Sequence, residues 1–99
     1  MFGRRQDDPT GPVPALLAEV ARRRDELAAA QAVVGEGAVY KGEFYRRAGL
    51  RDGARRALHA AVVLASQDPT PPRDRDLAGA AGMTVAELDE VRASYAASL

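Results

Sequence analysis

Apolar residues recur along this chain mostly at three- and four-residue intervals, a spacing that predicts helices. Val13, Leu16, Leu17, Val20, Leu27 and Val34 lay out a long helix over 13–34, with Pro14 tolerated in its first turn. Phe44, Tyr45 and Ala48 share one side of a helix over 40–48. Ala54, Leu58, Ala61 and Ala65 form the inward stripe of a helix over 51–66. Leu77, Ala78 and Ala81 mark a helix over 72–81, capped by Asp68 or Thr70 with Pro71 in its first turn. Leu88, Val91, Tyr95 and Leu99 stripe a last helix over 84–98. The expectation is an all-α domain of four to five helices over 13–99. A polar, flexible N-terminal tail over 1–12 precedes it, with Phe2 as its natural anchor. After Gly35-Glu36-Gly37 the pattern favours an irregular link; the alternative pairs Val33-Val34 with Ala38-Val39-Tyr40 as a short hairpin.

Two glycines punctuate this pattern as helix ends. Gly82 suits the left-handed conformation that closes a helix. Thr84 then stands at an N-cap, and Glu87 completes a Thr-x-x-Glu capping box. Met83 and Leu88 have the spacing of a hydrophobic staple across that cap. Ala48-Gly49-Leu50 repeats Ala81-Gly82-Met83, with Phe44 matching Leu77 and Leu58 matching Val91, which predicts a second corner at Gly49.

The stretch from Arg75 to Tyr95, RDLAGAAGMTVAELDEVRASY, resembles the helix-turn-helix of DNA-binding proteins. The matching positions are Leu77 and Ala78 on the first helix, Ala81-Gly82-Met83 at the corner, and Leu88 and Val91 on the second. The resemblance implies a DNA-associated regulatory protein contacting double-stranded DNA, with Thr84 near a helix N-terminus. The basic segment supplies the remaining contacts expected: Arg46, Arg47, Arg51 and Arg55 on phosphates. From Lys41 to His59 there are six Lys and Arg against Glu43 and Asp52. The second helix of the corner is instead acidic on its outward side, with Asp89, Glu90 and one cation, Arg92.

Composition narrows the reading. Ninety-nine residues fit one domain, and 21 alanines with no Ile or Trp make a core of small side chains that self-association would help stabilise. Val13, Val20, Leu27 and Val34 recur every seven residues, either as a core stripe or as a short coiled-coil seam. The net charge is zero, so no global field draws the chain to nucleic acid. Cysteine is absent, no apolar run reaches the roughly 20 residues of a membrane span, and a cytoplasmic location is the default. His59 has no carboxylate three or four residues away, and Gly49-x-x-x-Gly53 lacks the Lys-Ser/Thr of a phosphate loop. No catalytic residue, metal site or cofactor is expected. Two classes remain: the DNA-associated regulator, which the shape favours slightly, and a non-catalytic interaction or assembly module. The second could be a phage structural or accessory subunit, or a homodimer.

Overall fold

A computed structural model describes residues 12–34 and 40–98. The chain is all-α, with four helices and no strand among the described residues: α1 (Pro12–Val34), α2 (Lys41–Gln67), α3 (Asp74–Ala81) and α4 (Val85–Ser98). No described helix is long and apolar enough to cross a membrane. Residues 1–11, with Phe2, lie outside the described residues, as do Ala38 and Val39 of the alternative hairpin; Val33 and Val34 are helical.

α1 and α2 run antiparallel. Arg47, near the start of α2, donates to the Val33 carbonyl near the end of α1 at 3.1 Å. Val20, in the first half of α1, shares the core with Leu58 and Val62 in the second half of α2. Leu77, Ala78 and Ala81 of α3 and Leu88 of α4 close that core, with Leu16, Leu17 and Leu27 packed at its edge. Val20 is thus taken up in the core and Leu27 packs at its edge, so the middle of the seven-residue repeat faces the chain's own helices and reads as a core stripe. The largest fully buried side chains are Leu77, Leu88, Val20 and Val62. At about 1.5–3 kcal/mol for each such side chain, this is a small hydrophobic contribution.

The expected corner at Gly49 does not form. Residues 41–48 and 51–66 are parts of one helix, α2, with Tyr40 as its N-cap, and the two-corner repeat falls with the corner. A glycine inside a helix costs about 1 kcal/mol relative to Ala and does not by itself end the helix. No Thr-x-x-Glu follows Gly49 to start a new one.

At Gly82 both signals are present and the corner forms. Gly82 has φ +70°. Its N–H donates to the Gly79 carbonyl at 3.2 Å and the Met83 N–H to the Ala78 carbonyl at 3.0 Å, the paired bonds of a Schellman motif. Glu87 N–H donates to Thr84 Oγ1 at 3.1 Å, and Thr84 N–H donates to Glu87 Oε1 at 2.8 Å. Met83 packs against the core cluster that holds Leu88, as the staple spacing requires.

α3 starts later than expected, at Asp74, with Arg73 as its N-cap. Thr70 and Pro71 each precede a proline, and a residue before proline is pushed out of the helical region. Asp68 turns the connection by accepting from the Thr70 N–H at 2.9 Å.

Candidate interaction surface

The four arginines expected to meet phosphate fall into two pairs, each pair held by one carboxylate. Glu43 accepts from both Arg46 and Arg47, with Nε–oxygen distances of 2.8 and 3.0 Å. Hydrogen bonds from Arg46 first, and then Arg47, hold the Glu43 carboxyl at about 2. Glu43 in turn raises the Arg46 guanidinium. Asp52 accepts from Arg51 at 3.2 Å and from Arg55 at 3.5 Å. Arg47, Arg51 and Arg55 share a row at four-residue spacing, whereas Arg46 stands on a different side of the helix. Thr84 belongs to another element, the start of α4, where its hydroxyl oxygen serves the cap.

The cation of α4 points inward. Arg92 donates to Asp74 of α3 at 2.8 Å and to Ser66 Oγ of α2 at 3.0 Å. The outward charges of α4 are Glu87, Asp89 and Glu90, all exposed. His59, four residues past Arg55, is lowered by burial first and by Arg55 second. Among the described residues no cluster of His, Asp and Glu is placed to hold a metal.

A different surface is apolar and uncovered. The buried residues of α2 are Leu58, Val62 and Ala65, all in its second half. On the far side of the helix, Leu50 is 57% exposed and Leu64 66% exposed. Leu50, Ala57 and Leu64 recur every seven residues, with Gly53 and Ala60 between them and Gly49 just before Leu50 on the same face. A Cβ at Gly49 or Gly53 would meet nothing within 4 Å, so the chain's own packing does not require glycine at either position. Two glycines that weaken the helix by about 1 kcal/mol each, with no use inside the fold, line an open apolar face.

Beside Leu64 this face drops into a groove of about 510 Å³ between α2 and α4. Ala60, Val63 and Gln67 form one wall, Tyr95 and Ala96 the other. The Tyr95 hydroxyl reaches the Arg56 carbonyl at 3.5 Å, closing one end. The sequence carried this face as the seven-residue spacing of Leu50, Ala57 and Leu64. A corner at Gly49 would cut that stripe in two.

No family model, curated protein or solved structure matches the chain.

Proposed function

We propose that the protein is a non-catalytic protein–protein interaction or assembly module that works through the uncovered face of α2. The observation that carries this is the pairing of exposed Leu50 and Leu64 with Gly49 and Gly53, two glycines open to close approach from outside. Small residues let helix backbones approach, and exposed leucines supply the apolar area that a partner covers. A photo-crosslinking residue at position 64 in native-host cells tests the reading. Discrete protein adducts are expected from position 64 and not from position 29, on the exposed outer side of α1. Equal or absent adducts at both positions would contradict it.

The Gly82 corner favours a second reading, a DNA-associated regulator with a helix-turn-helix-like domain. Its contacts would come from Arg46, Arg47, Arg51 and Arg55 rather than from the acidic α4. Each arginine would exchange a carboxylate, Glu43 or Asp52, for phosphate. Neutralising Arg51 and Arg55 should then take roughly two units from the salt slope of duplex binding, at about 0.9 per phosphate contact. Absence of duplex binding at low salt would remove this reading. A cytoplasmic setting accompanies both readings.

A further inference from the structure

We propose that the occupant of the α2 face is a second copy of this chain, its α2 lying antiparallel to the first. This rests on the assembly reading above and names its partner.

The face is complementary to itself. Leu64 projects from one end as a knob. Toward the other end, Arg46, Gly49, Leu50 and Gly53 stand at i, i+3, i+4 and i+7, the four corners of a hole. Two of those corners are glycine, which leaves the floor of the hole low. A two-fold axis near Ala57 seats Leu64 of each chain in the hole of the other at the same time, an isologous contact. Ala57 at the axis lets the two backbones close. A parallel, in-register pair would instead set Leu64 against Leu64 and glycine against glycine, leaving both holes empty.

Charge runs the same way. The last turn of α2 carries no basic residue, and the helix ends at Asp68. Antiparallel pairing brings the Arg46 of one chain to the carbonyl-rich, negative end of the other, where it would share its guanidinium between its own Glu43 and those carbonyls. Coverage agrees too. The first half of α2 contributes nothing to the core, and pairing lays it along the groove beside the second half of its partner. From Arg46 to Gln67 the face runs about 30 Å at 1.5 Å per residue. A single helix face of that length is smaller than the roughly 800 Å² per partner of a standard interface and falls in the size class of weak and transient pairs, and a micromolar dimer is the expectation.

The chain has no cysteine, so introduced cysteines report geometry cleanly. Arg46→Cys and Gln67→Cys chains, mixed and oxidised, should cross-link to each other, and neither should cross-link when alone. Sedimentation equilibrium of the full chain should show a monomer–dimer equilibrium in the micromolar range. Leu64→Glu should weaken it by about tenfold or more, because a charge would then be buried at the contact. Its circular dichroism should be unchanged, since Leu64 is exposed in the single chain. A monomer throughout that range, with no mixed cross-link, overturns the proposal. Self-cross-linking of each variant alone overturns the antiparallel arrangement. A monomer whose position-64 adducts in cells are with another protein overturns self-pairing and leaves the assembly reading standing. A monomer with no adducts removes both.

Discussion

Arg24 of α1 lies across Gly82: its Cδ is 2.8 Å from the point that a Cβ on residue 82 would occupy. Gly82 also sits at φ +70°, a conformation that side chains disfavour. Glycine is thus favoured at this corner twice, by the backbone conformation and by the side chain that occupies the space of a Cβ.

Gly82→Ala should destabilise the fold by about 1–2 kcal/mol through the backbone conformation, with a further cost from displacing Arg24. Arg24→Ala added to Gly82→Ala should recover only the second part. Urea unfolding of the two variants and the double variant separates them.

Thr84→Ala should cost about 0.5–2 kcal/mol, because the Glu87 N–H loses its acceptor. Glu87→Gln should cost less, since glutamine also closes a capping box. Thr84→Ala with Glu87→Ala should cost less than the sum of the two single changes, because the two bonds act as one unit. Thermal melts of the three variants check this.

Leu58 and Leu64 sit on one helix and should behave oppositely. Leu58→Ala empties a core position and should cost about 2–5 kcal/mol. Leu64→Ala, measured at concentrations where the chain is monomeric, should stay within about 0.5 kcal/mol of the unaltered protein. Denaturant midpoints distinguish them.

Much of this was legible from local chemistry, and the failures share a cause. Gly82 was readable as a corner because a second, independent signal followed it: the Thr84–Glu87 box, confirmed in both directions. Gly49 also follows an alanine and precedes an apolar residue, but no cap comes after it, and the helix runs through it. Val62 is fully buried where the stripe predicts Ala61, because both fit a helical spacing next to Leu58. Only the position of α1 decides which side of α2 turns inward. The pairing of Arg46 and Arg47 with Glu43, and of Arg55 with Asp52, follows the three- and four-residue spacing rule; Arg51 and its neighbour Asp52 do not.

Glu43 gives the acid side of the stability profile a defined sign. Its folded-state carboxyl is depressed to about 2 from 4.5 by Arg46 and Arg47. A depressed carboxyl contributes stability above its unfolded value, and that contribution is lost as pH falls from about 4.5 through 2. Asp74, lowered by the Arg92 hydrogen bond, adds in the same direction. Glu43→Gln should therefore lose less stability than the unaltered protein across that window. Chemical denaturation at stepped pH reads the difference.

The most direct test of the α2 face replaces both open glycines, Gly49→Gln together with Gly53→Gln, and measures folding and association on the same sample. Nothing in the chain lies within 4 Å of either site, and glutamine is a better helix former, so the diluted monomer should unfold at a higher denaturant concentration than the unaltered protein. The same variant should fail to self-associate, because the hole for Leu64 is filled. Greater stability with lost association is the predicted result. A variant that associates as strongly as the unaltered protein, or an unaltered protein that stays monomeric, would contradict self-pairing through this face.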